Sequence, residues 1–307
     1  MKILFMGTPD IAAKCLKTLV KSGLTVVGAV SQPDRPKGRG HKLLPTDVKL
    51  EAEANGIPVF QPEKIKSGEL MPILEELKPD MIVVVAYGKI LPKYVLDFAK
   101  YGCINMHASL LPKLRGAAPV QWAVINGEKE TGVTTMLMNE GLDTGDMLLS
   151  EKLEIGEYET SKELFERIAE IGGRLLVKTI ENIESIVPEK QPDAAESYAP
   201  LITKEMAHID WSMPTDKISK LICGMNDKPM AYSFYKDEQV KIISAVKGEA
   251  VNGENGEIVG LEKGKGLRVK TPDGSIYIKE LQFSGSKRML AEDYLRGHSI
   301  DFGTILK

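Results

Sequence analysis

Residues 81–108, MIVVVAYGKILPKYVLDFAKYGCINMHA, contain the two segments that decide the fold. The run at residues 81–86 is apolar on both faces, which is typical of a central strand in a parallel sheet that helices cover on both sides. A second strand is predicted at residues 102–108. Together these segments predict the middle of an α/β sheet.

The segments around this stretch alternate between strand and helix patterns, which is how a parallel sheet is built. Further strands are predicted at residues 2–6, 24–30, 57–60 and 132–138. Helices are predicted at residues 11–19, 48–55, 70–77, 118–125 and 161–183. The first part of the chain is therefore predicted to be a Rossmann-like α/β domain with a mostly parallel sheet flanked by helices.

The rest of the chain predicts a second, β-rich domain, and a length of 307 residues suits two domains. Residues 187–200 contain three prolines and little apolar periodicity, which is typical of a linker. Short strands follow at residues 240–245, 257–261, 266–270 and 275–281. The Pro272-Asp273-Gly274 turn between the last two predicts a hairpin. We predict a catalytic domain at residues 1–188, a linker at 189–206 and a small β-barrel at 207–307.

Composition excludes several classes of protein. The three cysteines lie far apart without a CxxC pair, and the four histidines show no helical ligand spacing, so we predict neither a disulfide framework nor a metal site. The apolar run at the start is too short for a signal peptide or a membrane span. We expect a cytoplasmic protein without membrane contacts. The net charge of −3 means that any binding of nucleic acid depends on local basic patches.

Polar residues that could carry chemistry stand at the end of the strand at residues 102–108. Asn105 and His107 are two apart, so both side chains point to the same face, at the sheet edge where α/β proteins place their sites. An amide could hold the oxygen of a carbonyl as it becomes an oxyanion, while the imidazole handles a proton. Asp143 follows in the turn GLDTGD, where a carboxylate near His107 would orient its ring. Asp146 fits almost as well, and a structural role for each residue remains open.

Basic residues form a second candidate site. Residues 32–49, QPDRPKGRGHKLLPTDVK, read as a mobile basic loop that suits phosphate, although a solvated surface loop explains the pattern equally well. Lys263, Lys265 and Arg268 are concentrated in a later strand and its preceding turn. They predict a local phosphate track, with an edge strand protected by lysines as the alternative.

The run INMHASLLPKLRGAAPVQWAVINGEKETGVTTMLMNEGLDTGDML at residues 104–148 resembles the family of 10-formyltetrahydrofolate-dependent formyltransferases and hydrolases. The resemblance implies that Asn105, His107 and Asp143 form the catalytic group, without a metal. It implies direct attack of an amine on the formyl carbon, with Asn105 and His107 stabilising the oxygen of a tetrahedral intermediate. The residues that the resemblance places against the folate are Ser109, Leu110, Leu111, Pro112, Tyr87, Gly88, Ile90 and Leu91.

The basic loop and the second domain resemble the members of this family that act on initiator tRNA. The resemblance implies that the loop inserts into the tRNA acceptor stem, with Arg39 as the main contact and Lys37 and Lys42 supporting it, and that the second domain is an OB-like tRNA-binding module. The implied reaction moves a formyl group from 10-formyltetrahydrofolate to the α-amino group of methionyl initiator tRNA and releases tetrahydrofolate. The implied enzyme is a monomer. One stretch departs from the family, because its NPWP appears here as NDKP at residues 226–229.

Two other classes of function are weighed against this one. A formyltransferase for another amine acceptor, such as glycinamide ribonucleotide or a nucleotide sugar, or a formyltetrahydrofolate hydrolase, would share the Asn-His-Asp group. The basic loop and the extra β-rich domain favour a large polyanionic acceptor instead. A non-catalytic tRNA-binding protein is the second alternative, and the presence of all three catalytic candidates argues against it. A dinucleotide cofactor is not expected, because the GxGxxG pattern is absent.

Overall fold

The computed structural model describes residues 1–37, 42–192, 195–226 and 228–307. The chain forms two compact units that alternate along the sequence. Unit 1 consists of Met1–Gly116, Thr131–Leu153 and Phe165–Ala199. Unit 2 consists of Ala117–Glu130, Glu154–Leu164 and Pro200–Lys307. The domain limits given above stay a prediction.

The described residues form strands and helices with the following bounds. The first strands are β1 (Lys2–Gly7), β2 (Thr25–Val30), β3 (Arg35–Lys37), β4 (Lys42–Leu44), β5 (Val59–Phe60), β6 (Met81–Val85), β7 (Cys103–His107), β8 (Arg115–Gly116), β9 (Glu130–Leu137), β10 (Asp146–Glu154) and β11 (Tyr198–Ala199). The later strands are β12 (Tyr232–Tyr235), β13 (Glu238–Gly248), β14 (Ile258–Glu262), β15 (Gly266–Thr271), β16 (Gly274–Phe283) and β17 (Met289–Leu290). The helices are α1 (Asp10–Lys21), α2 (Asp47–Ala54), α3 (Met71–Leu77), α4 (Lys93–Leu96), α5 (Pro119–Asn126), α6 (Ser161–Glu181), α7 (Thr215–Gly224) and α8 (Ala291–Gly297).

The main sheet of unit 1 has the strand order β10-β9-β7-β6-β1-β2-β5. Its central pairs, β5 with β2, β2 with β1, β1 with β6 and β6 with β7, are parallel, and β9 pairs antiparallel with β7. All of β6 is buried, as its continuous apolar run requires of a strand that is covered on both faces. The prediction of a Rossmann-like, mostly parallel sheet is confirmed.

The order in which strands are added to the sheet reverses at β1. Strands β2 and β5 lie on one side of β1, and β6 and β7, which follow them in the chain, lie on the other side. Such a reversal leaves a crevice beyond the carboxyl ends of the two strands that flank it, and α/β proteins bind ligands there. The crevice lies beyond the ends of β1 and β6.

The basic segment at residues 32–49 contains more regular structure than a loop. Strands β3 and β4 form an antiparallel ribbon in which Arg35 faces Leu44 and Pro36 faces Leu43. Leu43 is 69% exposed, so the ribbon buries little apolar surface. The sequence pattern therefore gave no strand signal, because strand prediction depends on an alternation between buried and exposed residues.

Unit 2 is built on an antiparallel sheet with the order β12-β13-β16-β15-β14, to which β17 adds beside β16. The hairpin predicted at residues 272–274 joins β15 to β16, with Thr271 paired to Gly274. The prediction of a β-rich second part is confirmed. Among the described residues the strand order is an open path rather than a closed barrel.

Both units have apolar cores. The core of unit 2 contains residues of its sheet, including Ile242, Val269 and Ile276, together with Trp211 before α7. In the part of the chain that the structure describes, no helix has the length and apolar character needed to cross a membrane.

Candidate active site

Strand β7 brings the two principal candidate residues to the end of the sheet. Asn105 is half-buried and His107 is buried, with 6% of its surface exposed. Thr134 of β9 is the direct partner of His107, so the two side chains lie on the same face. The strand periodicity correctly predicted that Asn105 and His107 would share that face.

The side-chain amide of Asn105 has a defined orientation. Its Nδ2 donates a hydrogen bond of 3.1 Å to the carbonyl oxygen of Val84 on the neighbouring strand. The opposite orientation would place two oxygens against each other, so Oδ1 must point away from Val84. This Oδ1 is buried and has no hydrogen-bond partner among the described residues. A buried acceptor without a partner is costly in a folded protein and is a feature of sites that receive a ligand.

The imidazole of His107 has an oxygen near each ring nitrogen. Nε2 lies 3.0 Å from the carbonyl oxygen of Leu114, which can only accept, so Nε2 carries a hydrogen. Nδ1 lies 3.7 Å from Oδ2 of Asp143, which is too long for a hydrogen bond but is within ion-pair distance when the ring is protonated. In the neutral ring Nδ1 is therefore the basic nitrogen, and the carboxylate stands beside it.

Asp143 is held in an uncommon conformation by its surroundings. Its φ of 53° is in the left-handed region, which aspartate adopts more readily than most residues. The backbone N–H of Gly116 donates to Oδ2 over 2.8 Å. The side chain of Gln191 donates to the Asp143 carbonyl oxygen over 2.8 Å and to that of Gly145 over 2.7 Å. Asp146, the alternative candidate, begins β10, and the contact with His107 is made by Asp143.

The candidate folate residues that follow β6 lie at the crevice beside β1. The carbonyl oxygen of Tyr87 accepts hydrogen bonds from Thr8 after β1, over 3.0 Å, and from the side chain of Gln32, over 3.1 Å. Tyr87 is 2% exposed, and its hydroxyl has no hydrogen-bond partner among the described residues. Burial raises the pKa of this hydroxyl to about 12, with a smaller contribution from Tyr94. Two further members of the predicted set, Leu91 and Ile90, are 4% and 67% exposed, respectively.

The second candidate folate segment, residues 109–112, is fastened to β9. Thr134 Oγ1 donates to the carbonyl oxygen of Ser109 over 2.7 Å and accepts from the N–H of Leu111 over 3.1 Å. Ser109 is buried, and its hydroxyl donates to the carbonyl oxygen of Lys113 over 2.6 Å. Leu110 is half-buried and Pro112 is buried, whereas Gly88 of the first segment is exposed. The structure thus places the predicted folate residues on two loops of unit 1, and their role in binding stays a prediction.

The candidate tRNA contacts fall into two groups. Arg39 lies outside the described residues, as does Asp227 of the stretch that departs from the family. Lys37 and Lys42 pair with each other across β3 and β4, and their side chains lie outside the described part.

The second group of basic candidates surrounds Tyr277 in unit 2. Lys265 forms an ion pair of 2.5 Å with Glu262 and lies 5.4 Å from the centre of the Tyr277 ring. Arg268 lies 5.2 Å from the same ring and donates to backbone and side-chain oxygens nearby. Lys263 is exposed in the turn before them. Lys265 and Arg268 already have protein partners, so a phosphate would have to compete for them.

The cysteines contribute no reactive thiol to the site. Cys103 on β7 is buried, and burial raises the pKa of its thiol to about 12. Its Sγ contacts the carbonyl oxygen of Val95. A thiol with so high a pKa is a poor nucleophile at neutral pH. Among the described residues, no three His, Cys, Asp or Glu side chains form a group that could hold a metal ion.

Sequence comparison identifies relatives over the full length of the chain. Residues 1–180 match the Formyl transferase family and residues 201–299 match the Formyl transferase C-terminal domain. The methionyl-tRNA formyltransferase of Citrifermentans bemidjiense is 48% identical over 308 residues, which cover 100% of this chain and 96% of that protein. That of Alkaliphilus oremlandii is 48% identical over 309 residues, which cover 100% of this chain and 99% of the relative. The chain belongs to the methionyl-tRNA formyltransferase family. The resemblance noted at residues 104–148 is confirmed.

Crystal structures extend the similarity of the methionyl-tRNA formyltransferase fold to more distant proteins. HypX from Aquifex aeolicus, solved with tetrahydrofolic acid, matches with a TM-score of 0.68 at 18% identity, over 98% of this chain and 50% of that one. The chain thus spans about half the length of HypX. WlaRD, a sugar 3N-formyl transferase solved with dTDP and 5-N-formyl-THF, matches with a TM-score of 0.65 at 20% identity, over 94% of this chain and 99% of that one. These similarities concern the fold.

Proposed function

We propose that this chain is an enzyme that transfers a formyl group from 10-formyltetrahydrofolate to the α-amino group of methionyl initiator tRNA, and so supplies formylmethionyl-tRNA for the initiation of translation. The observation that carries the proposal is the group at the end of β7. There the buried, unpartnered Oδ1 of Asn105 is on the same strand as His107, whose ring nitrogen faces the Asp143 carboxylate. Membership of the methionyl-tRNA formyltransferase family supports this choice of substrates.

The residues beyond the ends of β1 and β6 suit a folate. Tyr87 Oη and Asn105 Oδ1 are both buried polar atoms without partners among the described residues, which is the condition expected where a ligand with its own polar groups binds. Leu91 and Leu111, which are close in sequence to Tyr87 and Asn105, are apolar and buried. When bound, 10-formyltetrahydrofolate supplies an activated formyl group. The structures of HypX and WlaRD, which were solved with folates, support the donor class.

The orientation of Asn105 indicates what its amide can do. One hydrogen of Nδ2 is used on Val84, so the second is free to donate to the formyl oxygen, where negative charge develops during attack. Oδ1 can accept a hydrogen from the attacking amine. Asn105 would thus position both reacting groups, which removes much of the entropic cost of bringing them together.

His107 is placed to accept a proton at Nδ1. The bond from Nε2 to the Leu114 carbonyl oxygen fixes the tautomer in which Nδ1 has the free electron pair. When Nδ1 takes the proton that the attacking amine loses, the ring becomes a cation beside the Asp143 carboxylate at 3.7 Å. Asp143 therefore stabilises the protonated ring and orients it, which is the arrangement of a general base and its supporting carboxylate.

We place this reaction in the cytoplasm and propose a monomer, with the basic segment at residues 32–49 and the β-rich unit 2 contacting the tRNA. A large polyanion needs such contacts because the chain carries a net charge of −3. The β3–β4 ribbon presents Arg35 and the largely exposed Leu43, a combination that suits contact with both phosphate and bases.

The test is formyl transfer by the purified protein with 10-formyltetrahydrofolate and a choice of acceptors. The acceptors are methionyl initiator tRNA, methionyl elongator tRNA, glycinamide ribonucleotide and water. We expect formylation of the initiator tRNA at a kcat/KM at least about 100-fold above that of any other acceptor, the scale on which an enzyme that makes specific contacts with its substrate discriminates. Turnover only with another acceptor would refute the proposed substrate. No turnover with any acceptor would refute the proposal that the chain is a formyltransferase. Asn105→Ala should abolish most of the activity that is found.

A further inference from the structure

The described residues of the segment 189–199, which composition identifies as part of a linker, bond to the loops that hold the catalytic candidates. The backbone of Glu189 exchanges two hydrogen bonds with Met147, at 2.8 and 2.9 Å. Further along, β11 pairs in parallel with β8, where Tyr198 faces Arg115 and Ala199 faces Gly116. The segment therefore pairs with the start of β10, just after the turn that contains Asp143, and with β8, which follows His107 in the chain. All of these residues belong to unit 1.

Gln191 uses every polar atom of its side chain in this segment. Its Oε1 accepts from Arg115 Nε over 3.0 Å and from Arg115 Nη2 over 2.8 Å. Its Nε2 donates both hydrogens to the carbonyl oxygens of Asp143 and Gly145. Arg115 is only 5% exposed and is held in turn by Glu196 at 2.5 Å. The Gln191 amide is thus fixed at one end and can only bond to the loop in a single orientation.

Gln191 bonds to the part of the loop that contains Asp143, whose backbone is in the left-handed region. A left-handed φ at Asp143 aims its carboxylate at Gly116 N–H and toward His107. That conformation costs energy in any residue other than glycine and persists only where the surroundings enforce it. Gln191 holds the carbonyl of this same residue and that of Gly145 two positions later, so it fixes the direction of the Asp143 side chain.

The same segment supports the other contact of His107. Leu114, whose carbonyl oxygen accepts from His107 Nε2, is also left-handed, with φ of 57°. Its N–H donates to the hydroxyl of Ser197 over 2.9 Å. Both oxygens that face the His107 ring are therefore supported by this segment, through Gln191 and Ser197.

We propose that Gln191 is a positioning residue for the transfer reaction, which sets the Asp143 carboxylate beside His107 through its hydrogen bonds to the Asp143 and Gly145 carbonyl oxygens. This inference rests on the proposed function for its kinetic consequence, but not for its geometry. Gln191 does not touch the reacting atoms, so its effect must be transmitted through Asp143. A residue that merely stabilises the fold would act independently of Asp143.

The decisive variant is Gln191→Glu. It keeps the oxygen that accepts from Arg115 and replaces the N–H donor with a carboxylate oxygen, so the bonds to the loop are lost and a negative charge is added. Gln191→Met also removes the bonds to the loop but adds no charge. We expect kcat to fall about 10- to 100-fold, the loss that displacing a catalytic group by ~1 Å can cause, with KM for either substrate changed by less than about threefold. Gln191→Met, which has a similar volume, provides a second variant if the first does not fold. Gln282→Ala, which removes a half-buried glutamine of unit 2 that bonds to Ser286, is the control and should leave kcat unchanged.

The route of the effect is tested by combining Gln191→Glu with Asp143→Asn. Because Gln191 acts through the carboxylate, adding Gln191→Glu to the Asp143→Asn variant should reduce its single-turnover rate by less than about twofold. Equal losses in both backgrounds would overturn the proposal.

A readout without catalysis separates this inference from the proposed function. The chain has four histidines, so the imidazole nitrogen signals of His107 can be followed by NMR in protein labelled with nitrogen-15. Gln191→Met, which adds no charge, should shift the His107 signals, whereas those of His208 and His298 in unit 2 should stay in place. Unchanged His107 signals would refute the positioning role even if formyl transfer were never observed.

Discussion

A pair of threonines on β9 offers a measurable test of how the site is supported. Thr131 and Thr134 are both buried, 3% and 0% exposed, and valine has nearly the same shape as threonine. Thr134 Oγ1 makes two hydrogen bonds to the segment at residues 109–112, whereas Thr131 Oγ1 has no partner among the described residues. The same substitution should therefore have opposite effects at two positions of one strand.

The expected magnitudes follow from these contacts. Thr134→Val leaves the Ser109 carbonyl and the Leu111 N–H buried without partners, at a cost of about 1–3 kcal/mol for each group. The added methyl group returns about 1 kcal/mol, so the net loss in the free energy of unfolding is about 1–5 kcal/mol. Thr131→Val removes a buried hydroxyl that has no hydrogen-bond partner among the described residues and should add about 1 kcal/mol. The two variants should thus differ by about 2–6 kcal/mol.

Urea unfolding followed by far-ultraviolet circular dichroism is the appropriate assay. Both tryptophans, Trp122 and Trp211, belong to unit 2, so tryptophan fluorescence would report on the wrong unit. The midpoint should fall for Thr134→Val and rise for Thr131→Val at constant slope. Thr134→Val should also raise KM for the folate, because the segment at residues 109–112 loses its anchor. If the two variants unfold within about 0.5 kcal/mol of each other, the hydrogen bonds assigned to Thr134 do not support that segment.

Three further predictions concern other parts of the chain. Burial raises the pKa of the Cys15 and Cys103 thiols to about 12 and that of Cys223 to about 11. All three thiols should therefore resist iodoacetamide at neutral pH in the native protein and react with it in urea. Gly145→Ala should abolish most activity, because the added Cβ would stand 1.9 Å from the Leu137 carbonyl oxygen and force the catalytic loop to move; unaltered kcat would contradict the role of that loop. Hydrogen bonds from Gln61 and Lys49 lower the pKa of Asp34, so its contribution to stability is present above the unfolded pKa of about 3.9 and is lost as the pH falls through the lower folded pKa. Asp34→Asn should therefore lower the urea midpoint at about pH 7, and the difference from the unsubstituted protein should shrink as the pH falls through the lowered pKa of Asp34; a pH-independent difference would exclude the carboxylate as its cause.

The sequence predicted the sheet well because its strands follow simple burial patterns. Strand β6 is buried on both faces, as the continuous apolar run MIVVV predicts. The hairpin of β15 and β16 was likewise predictable from the turn at residues 272–274. The β3–β4 ribbon was not, because its exposed Leu43 and its Pro36 give no alternation to detect. Pattern methods succeed where burial alternates regularly and fail where a ribbon is held by little besides backbone pairing.

The identity of the candidate catalytic residues was also accessible from sequence, whereas their geometry was not. Asn105 and His107 share a face because a strand has a period of two. By contrast, the Asp143 carboxylate reaches the vicinity of His107 through a left-handed turn and a bond to Gly116, which is 27 residues away. No local pattern encodes contacts of that range. Gln191 is further still, 76 residues from Arg115, and lies in a stretch whose composition suggests only a linker.

This difference between identity and geometry has a consequence for related chains and for engineered variants. A chain could retain Asn105, His107 and Asp143 and still lose activity if the segment at residues 189–199 were shortened or replaced by a flexible linker. The three side chains would remain, but the Asp143 carbonyl would lose its donor, Gln191, and the Leu114 N–H would lose its acceptor, Ser197. Because a general base loses most of its advantage when it is displaced by ~1 Å, the contacts that this segment makes should matter as much as the candidate catalytic side chains themselves. Replacing residues 189–197 with a glycine-serine linker of equal length tests this directly. We expect unit 1 to remain folded by circular dichroism while kcat falls by about 100-fold or more, and a variant that retains its kcat would show that the loops hold their geometry unaided.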